Sequence, residues 1–542
     1  GTVYGGYAKT LPSTAAAAAT VKNNVVKLGD NAEVVGDVYG GYADAVPGAG
    51  IDAATDNTID LYKATISGVL YGGAAKDSAN NAIANGTGNT LSVRDFGAQA
   101  GDFTGVQNLY FYIPEGTTGA SAATAGTMLT LNNVTHDLNA GGEKDLSNVH
   151  IGVALAGNQP TLQVGDEVSL VKAFAGTNPV ALSPSVPTVN HTRGMQGVSM
   201  LYGFDILTRP TAGSTVNNEL YAGVTSASIN PQTKSLAETR AASLAFMSSG
   251  SDLLTDAALT AALDAASTPA SGAGQVDGSP KDYRMWAVQS GSSVRLNTGS
   301  HVDAKGWNID LGFAKQRVSE RNTLTYGPFV EYGKGSYDSY LDDGTHGDGS
   351  MDYLGAGFMA KSKNADGSYV EGSVRAGRVK SDYAGTIASA HVTYDSGSTY
   401  YAGHLGVGQE RELNGGNTIE TYAKYFFAHQ DGDRATLSNG DVYDFDAADS
   451  HRLRVGTRYA TKHGSGSFYT GLAYEYEFSG DAGASYQGYN TPSPSLTGGT
   501  GILELGYRFT PQDGRVTYGV NLMGMAGKRR GVSGGVQMHW AF

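Results

Sequence analysis

The chain closes on the stretch Val532-Ser533-Gly534-Gly535-Val536-Gln537-Met538-His539-Trp540-Ala541-Phe542. Every second residue from Val532 to Phe542 is apolar or glycine, and the residues between them are small or polar. Side chains of a β-strand point alternately to its two faces, so the pattern predicts a strand with one apolar face. Its length is close to the roughly 10 residues that cross a membrane in a β-barrel.

The same alternation recurs along residues 276–542, where it predicts twelve antiparallel strands. The clearest apolar faces are Trp307, Ile309, Leu311 and Phe313; Leu453, Val455, Thr457 and Tyr459; Leu472, Tyr474 and Tyr476; Leu503, Leu505, Tyr507 and Phe509; and Val516, Tyr518, Val520 and Leu522. A soluble sandwich also alternates, since one face of it is wet. The connections favour a barrel, because long ones (336–350, 383–398, 431–449, 481–497) alternate with short ones (364–367, 414–416, 463–466, 511–514).

Composition narrows the function classes. The 542 residues include 77 Gly and 32 Tyr, and only 16% are charged, which favours short strands and tight turns over helical bundles or disorder. No apolar run is long enough for a transmembrane helix. The net charge of −14 disfavours nucleic acid as a partner. Cysteine is absent, which excludes disulfides, thiol catalysis and cysteine-based metal sites.

The N-terminal region, 1–228, repeats itself. Tyr4-Gly5-Gly6-Tyr7 recurs as Tyr39-Gly40-Gly41-Tyr42 and, more weakly, as Tyr71-Gly72-Gly73-Ala74. A period in this range is typical of stacked repeats, and the short alternating runs 57–61 and 89–93 read as strands. We therefore expect a right-handed parallel β-solenoid, whose repeat array continues upstream of Gly1.

One helical region separates the repeats from the predicted strands. Asn230-Pro231 predicts a helix start, and residues 232–247 hold no further proline and no glycine. Ser248-Ser249-Gly250-Ser251 predicts a break, and residues 253–266 predict a second helical piece. We assign 229–275 to this linker and 276–542 to the barrel.

The linker and barrel together resemble the translocator unit of classical, type Va autotransporters. The residues that carry the resemblance are Ala237-Glu238-Thr239-Arg240-Ala241-Ala242-Ser243-Leu244-Ala245-Phe246, Gly506-Tyr507-Arg508-Phe509, Gly527-Lys528-Arg529-Arg530-Gly531-Val532-Ser533-Gly534 and Trp540-Ala541-Phe542. The last block often has Glu where this chain has Arg530. The N-terminal repeats resemble the β-solenoid passenger stems of the same family.

The resemblance implies a 12-stranded barrel with the linker helix inside its lumen. Residues expected on the pore-facing helix are Glu238, Arg240, Leu244 and Phe246. Residues expected to face the lumen are Glu331, Glu371, Arg375, Glu420, Lys424, Arg452, Arg454, Arg458, Glu475, Glu477, Glu504 and Arg508. Such mixed charges suit a plugged lumen, where they would pair with one another and with Glu238 and Arg240. Trp540 and Phe542 are the expected insertion signal.

The family also implies the location and the partners. The barrel would lie in the Gram-negative outer membrane, against lipid and lipopolysaccharide, with 1–228 on the cell surface. The barrel-assembly machinery and periplasmic chaperones would act during biogenesis. The surface region would bind a host or bacterial ligand, as an adhesin.

The sequence shows little sign of enzyme chemistry. Residues 165–170 resemble a hydrolase block only faintly, because Ser169 is displaced, and His136, His150 and His191 lack metal or nucleophile spacing. We predict no catalytic, cofactor or metal site. Two acidic clusters, within 338–352 and 441–449, favour solvated loops over a Ca²⁺ site, and the Tyr-Gly-Gly repeats favour an internal aromatic stack over a carbohydrate platform.

Three alternatives stay open at this point. One is a hydrolase domain upstream of Gly1, and another is an open pore formed by 276–542 alone. The third concerns cleavage: some relatives cut themselves at paired asparagines in the linker helix. Asn217-Asn218 lies before the helix, so we expect the chain to stay uncut.

Overall fold

A computed structural model of the chain describes residues 1–9, 20–44, 53–76, 81–183, 190–267, 283–511 and 516–540. Contacts divide the chain into two compact units, Gly1–Asn230 and Pro231–Phe542. The predicted boundary between linker and barrel, at 275/276, lies outside the described residues. The two units are described separately.

The first unit is built from short strands and one short helix, α1 (Gly119–Ala125). Its strands are β1 (Val3–Lys9), β2 (Val21–Lys22), β3 (Val25–Leu28), β4 (Glu33–Val34), β5 (Val38–Asp44), β6 (Ala54–Thr55), β7 (Thr58–Leu61), β8 (Thr65–Ile66), β9 (Val69–Lys76), β10 (Ala82–Ala84), β11 (Thr90–Val93), β12 (Ala98–Ala100), β13 (Asp102–Thr104), β14 (Asn108–Ile113), β15 (Thr127–Leu131), β16 (Lys144–Asp145), β17 (His150–Leu155), β18 (Glu167–Ala175), β19 (Asn178–Pro179), β20 (Leu182–Ser183), β21 (Asn190–Gln196), β22 (Met200–Arg209) and β23 (Glu219–Ile229).

Successive repeats lie side by side in parallel register. Tyr4 pairs with Tyr39 and Tyr39 with Tyr71, so the sequence repeat is also the structural repeat. Their rings stack with centroids 5.0 and 4.8 Å apart. The ring of Tyr7 stacks on that of Tyr42 in the same way, at 5.6 Å. The repeats therefore form an aromatic stack, and the predicted parallel architecture is confirmed.

An asparagine ladder runs through the same coils. The side-chain oxygen of Asn57 accepts from the backbone N–H of Asn24 at 3.1 Å, and that of Asn89 accepts from the backbone N–H of Asn57 at 3.0 Å. Both Asn57 and Asn89 are fully buried. Each amide thus satisfies a backbone donor in the preceding coil, which fixes the stacking register.

The far end of the coils changes to antiparallel pairing. Strands β21, β22 and β23 form an antiparallel ladder that joins β17 on one side of the sheet to β18 on the other. Tyr202, Phe204 and Ile206 of β22 are fully buried there. This ladder pairs the strand edges that a row of parallel coils would otherwise leave open.

The second unit is a closed antiparallel barrel of twelve strands, as predicted. The barrel strands are β24 (Arg284–Asn297), β25 (His301–Val318), β26 (Asn322–Tyr340), β27 (His346–Asn364), β28 (Ser368–Ile387), β29 (Ala390–Glu412), β30 (Thr418–Gln430), β33 (Ala448–His463), β34 (Gly466–Glu477), β37 (Gly498–Phe509), β38 (Val516–Gly527) and β39 (Arg529–Trp540). Strand β39 pairs with β24 and closes the wall.

Two of the predicted long connections are instead strand. Residues 336–350 continue β26 and β27 up to a short turn, and residues 383–398 continue β28 and β29 up to a two-residue tip, Ala388-Ser389. Both tip residues have positive φ (50° and 67°) without glycine or asparagine, so the sequence carried no hairpin signal there. We call this end of the barrel the hairpin end.

The other two long connections build a small sheet of their own at the hairpin end. It is formed by β31 (Asp433–Thr436), β32 (Val442–Phe445), β35 (Ala484–Tyr486) and β36 (Tyr489–Asn490). At the opposite, short-turn end, the connections at 364–367, 414–416 and 463–466 are tight, as expected. The connection predicted at 511–514 reaches into residues outside the described part of the chain.

A helix precedes the barrel, and it differs from the prediction in its continuity. It begins with a 3₁₀ turn, Pro231–Thr233, and continues as α2 (Lys234–Leu253), a π-helical segment (Leu254–Ala258) and α3 (Leu259–Ser267). Its first residue is Pro231, as predicted, and the side-chain amide of Asn230 just before it donates to Val198 O at 2.9 Å in the first unit.

The break predicted at 248–251 is wrong, because α2 runs through these residues without interruption. Ser248 donates to Leu244 O at 2.9 Å, one turn earlier, so its hydroxyl is satisfied within the helix. Gly250 is explained by packing, since a Cβ there would collide with the Tyr353 hydroxyl of the barrel wall. The surrounding wall therefore overrides the low helix propensity of Gly250.

Candidate functional site: the occupied lumen of the barrel

The helix fills the lumen because one side of it packs on the wall. We call the half of the helix nearer the short-turn end its lower half and the half nearer the hairpin end its upper half. The lower half contributes Leu253, Leu254, Ala257, Ala258, Leu259, Ala261, Ala262, Ala265 and Ala266, which lie against Trp286, Val288, Ala314, Phe329 and Met359. Small side chains let the helix approach the strands closely. The helix is buried along nearly its whole length.

Leu244 and Phe246 belong to the upper half of the same contact. Leu244 is fully buried, and the Phe246 ring packs edge-on against Tyr353 with centroids 5.7 Å apart. Gly306 and Gly335 of the wall leave space for this ring, since a Cβ at either position would meet it. The Phe246 ring thus fills a gap in the wall that the two glycines leave open; we call Phe246 the knob.

Glu238 and Arg240 bind the hairpin end, but their partners differ from those expected. Glu238, fully buried, accepts hydrogen bonds from Thr298 at 2.7 Å and from Ser300 and Ser339. Arg240 donates to Ser398 Oγ at 3.2 Å and to the carbonyl oxygens of Asp431 and Asp446. Hydroxyls and backbone carbonyls hold these two charges, not the arginines and glutamates of the wall.

The wall charges meet a stripe of aspartates lower on the helix: Asp252, Asp256 and Asp264. We call these three residues the acid stripe. Asp252 lies 2.5 Å from Arg454, 3.0 Å from Arg529 and 3.3 Å from Arg452; Asp256 lies 2.5 Å from Arg458 and 3.6 Å from both Lys424 and Arg454; Asp264 pairs with Arg508.

The spacing of the two elements explains this match. Four residues of an α-helix rise about 6 Å, and two residues of a strand rise about 6.6 Å. Helix and strand β33 run in the same direction, so Asp252 meets Arg452 and Arg454, and Asp256, one turn later, meets Arg454 and Arg458. Asp252 and Asp256 thus form an ion-pair ladder with β33, whereas Asp264 pairs with Arg508 of β37.

Wall carboxylates complete the network. Glu475 lies 2.9 Å from Arg454 and 2.6 Å from Arg529. The remaining contacts are Glu504 with Arg458 and with Tyr422 at 2.8 Å, Glu420 with Tyr369 at 2.5 Å and Arg458 at 3.7 Å, Glu371 with Lys361 at 2.9 Å and Lys424 at 3.1 Å, and Glu477 with Ser450 at 2.5 Å. In this network the wall cations outnumber the wall carboxylates, and the helix supplies the balance.

Arg375 ties the opposite wall to the middle of the helix. Its guanidinium donates to Met247 O at 2.9 Å and to Ser251 Oγ at 2.6 Å. It is also paired with Glu331, which accepts from the Tyr400 hydroxyl at 2.5 Å. Breaking a buried pair of this kind by removing one partner costs about 3–5 kcal/mol, because a charge is left uncompensated.

The lumen holds a cavity beside α3 and is closely packed above it. Beside α3, toward the short-turn end, a cavity of about 210 Å³ is lined by polar side chains that include Thr260, Glu420, Arg458 and Tyr469. Above it, the ion-pair network and the Phe246 cluster are closely packed. The arrangement can hold water at the short-turn end and blocks the path beyond it.

Several of these residues were not identified from the sequence. Asp252, Asp256, Asp264 and Arg529 lay outside the predicted site, although the four-residue spacing of the first two in a predicted helical piece was a readable signal. Glu331 was expected to face the lumen from the alternation of its strand, but its pairing with Arg375 and Tyr400 depends on cross-strand neighbours and could not be predicted.

The predicted insertion signal can be followed only in part. Trp540 ends β39 and pairs with Val516 of β38, and Phe542 lies outside the described residues. On the outer face of the same strand, Val532, Val536 and Met538 are half exposed. An apolar face turned away from the lumen suits contact with lipid.

Two side chains of the first unit that were weighed as catalytic candidates, Ser169 and His136, make structural contacts. Ser169 donates to Glu219 at 2.5 Å, and His136 contacts Asp102 at 3.2 Å beside the buried Lys144–Asp102 pair. His191 lies in β21. Across the described ranges, no group of three or more His, Asp or Glu side chains is arranged to hold a metal ion.

Comparison with known proteins identifies the barrel. Residues 285–522 match a family model described as the autotransporter beta-domain. The second unit is an autotransporter β-domain. Its barrel lies in the outer membrane of Gram-negative bacteria. No helix in the described part of the chain is both long and apolar enough to cross a bilayer.

Solved structures of the same kind are similar to this chain. The beta domain of the Bordetella autotransporter BrkA is 19% identical, with 48% of this chain and 98% of that one covered and a TM-score of 0.40. The transport unit of AIDA-I from Escherichia coli is 14% identical (58% and 99% covered, TM-score 0.42), as is the translocator domain of NalP from Neisseria meningitidis (55% and 98%, 0.40). No curated protein matches the chain significantly.

Proposed function

We propose that this autotransporter carries its own N-terminal region through the barrel and anchors it on the cell surface. The observation that carries the proposal is the path of the chain: the helix enters at the hairpin end, near Gln232, and leaves at the short-turn end, near Asp264. Short turns face the periplasm in outer-membrane barrels, so the hairpin end faces outward. Residues 1–228 then emerge outside.

Export in this scheme needs no nucleotide at the outer membrane. Folding of the stacked coils outside the cell supplies direction, because each coil gains its neighbour contacts only after it emerges. The barrel-assembly machinery, periplasmic chaperones and surrounding lipopolysaccharide act as partners in assembly. The terminal residues, including Trp540 and Phe542, serve as the insertion signal.

The surface region is proposed to be a solenoid passenger with an adhesive role. Its support is the parallel stacking of the Tyr-Gly-Gly coils, which offers a long repetitive surface. Catalysis would need an upstream domain. An open pore is disfavoured because the helix and its ion pairs occupy the lumen.

The test uses the full chain expressed in a Gram-negative host. Protease added to intact cells should remove 1–228 and leave the barrel protected; protection of both regions would contradict surface display. Adhesion is measured with the same cells on host-cell and bacterial surfaces, with a chain lacking 1–228 as control. Equal binding by both would refute the adhesin role and leave export standing.

The uncut state is tested on the same cells. The intact mass of chain extracted from the outer membrane should include 1–228 and the helix together. A free barrel whose first residue falls within 232–250 would contradict it.

A further inference from the structure

The apolar contacts of the lower half of the helix only partly define its axial position in the pore. Leu253, Ala257, Ala261 and Ala265 follow one another at four-residue intervals, as do Leu254, Ala258, Ala262 and Ala266. If the helix moved outward by one turn, about 6 Å, alanine would replace alanine at most of these contacts. Packing in the lower half therefore distinguishes the two positions only at its upper edge, where Ala257 and Ala258 would replace the buried Leu253 and Leu254.

The acid stripe does not share this periodicity. Position 260, which continues the four-residue spacing after Asp252 and Asp256, is Thr260, and the stripe resumes at Asp264. In the observed position, Asp252 meets Arg452, Arg454 and Arg529, and Asp256 meets Arg458 and Lys424. One turn outward, Asp256 would replace Asp252, and Thr260 would face Arg458 and Lys424 without a charge.

We propose that the interrupted acid stripe is a register lock: Asp252, Asp256 and the gap at Thr260 fix the one axial position at which the helix stops in the pore. The lock rests on the proposed function, since it defines where outward passage of the chain ends. Its positioning residues act on the helix, and none of them contacts an exported segment in the described structure.

The hairpin end agrees with the same position. One turn outward, Ala242 would replace Glu238 and Leu244 would replace Arg240, so the hydroxyls and carbonyls around those charges would lose their partners. Phe246 also opposes the movement, because Gly250 would take its place between Gly306 and Gly335. The contacts of the upper half thus oppose an outward shift of the helix. In the lower half, the acid stripe specifies the same axial position.

Because the chain has no cysteine, disulfide trapping can report the register directly. Ser235 Oγ lies 3.4 Å from Ser339 Oγ, so the pair S235C/S339C should cross-link in the observed register. Thr239 takes the place of Ser235 after a one-turn outward shift, so T239C/S339C reports the shifted register. The two reporters share the wall position 339, and each is compared only with itself between the rewritten and the control chain.

The stripe is then rewritten in both reporters. D252N/T260D moves the pair of acids one turn along the helix, so only the shifted register satisfies both cationic sites. D252N/T260N is the control, since it changes the same positions without offering the second acid. Each is measured in the purified full chain with Phe246 and with F246A, because the knob opposes the movement.

The lock predicts that D252N/T260D raises the T239C/S339C cross-link at least tenfold over D252N/T260N, most strongly with F246A, and lowers the S235C/S339C cross-link. Equal cross-linking in the rewritten and control chains, with F246A present, would overturn it. The measurement needs no export. Failure of the lock is therefore distinct from failure of the proposed function, which would appear as 1–228 missing from the cell surface.

Discussion

Replacing Asp252 by asparagine should loosen the helix from the barrel more than any other single neutralisation on the acid stripe. Three guanidinium groups, those of Arg452, Arg454 and Arg529, lie within 3.3 Å of this carboxylate. The amide of the D252N chain would still accept a hydrogen bond but would leave these three buried cations with Glu475 and, for Arg454 only, Asp256 at 3.6 Å. Loss of one partner in a buried ion pair costs about 3–5 kcal/mol.

The lower figure suits this site, because the amide keeps one acceptor. A cost of about 3 kcal/mol raises the ratio of helix-out to helix-in states by about two orders of magnitude, since each 1.4 kcal/mol is tenfold. The assay is planar-bilayer conductance of the purified full chain. The D252N chain should spend about a hundred times longer in conducting states than the native chain.

Asp264→Asn is the matched control. Its partner Arg508 is 40% exposed, so this pair resembles a surface salt bridge worth about 0–1 kcal/mol. D264N should conduct almost as little as the native chain. If D252N and D264N opened the barrel equally, or if D252N left conductance unchanged, the ion-pair ladder would not be what holds the helix.

Three further predictions concern other parts of the molecule. Asn57→Ala should destabilise the first unit by about 1–3 kcal/mol, because the N–H donors of Asn24 lose their acceptor and the acceptors Val21 O and Asn89 Oδ1 lose a donor. Thermal unfolding of the full chain followed in that unit measures it, and an unchanged transition would contradict the ladder. Burial would raise the pKa of Glu219, but hydrogen bonds from Arg209 and Ser169 and the nearby charges of Arg209 and Lys172 lower it below its usual value. Its stabilising contribution is therefore complete above about pH 4.5 and lost as the pH falls through the lower folded-state pKa; Glu219→Gln should flatten this acid loss, and an identical pH profile would refute it. Gly306→Ala should displace the Phe246 ring and lower the heat resistance of the barrel on gels, whereas Gly524→Ala, at a wall position with open space for the added Cβ, tests for a non-specific glycine effect.

The sequence predicts the parts of this fold that depend on local periodicity. Strands such as β33 and β39 alternate faces by necessity, so Arg452 and Arg454 could be assigned to the lumen without coordinates. The Tyr-Gly-Gly repeats predict their own parallel register in the same way. The hairpin tip at Ala388-Ser389 could not be predicted, because its residues adopt positive φ without the residue types that usually do so.

The helix was predicted in position but not in continuity, and the reason is physical. Ser248-Ser249-Gly250-Ser251 would end a helix in water, where the serine hydroxyls and the backbone have solvent as an alternative partner. In the lumen the alternative is lost, so the hydroxyls bond to carbonyls of the preceding turn and Gly250 packs beneath Tyr353. The same serine- and glycine-rich stretch therefore ends a helix in water but not in a lumen from which water is excluded.

The ion-pair ladder follows from the same exclusion of water. The arginines of the wall are solvated while the lumen holds water, and once the helix excludes that water they need carboxylates at matching intervals. The helix supplies them with Asp252 and Asp256, and the wall supplies Glu475 to share the excess. Helix and barrel are each incomplete electrostatically. In the proposed export, their charges make the plugged state the stable end point.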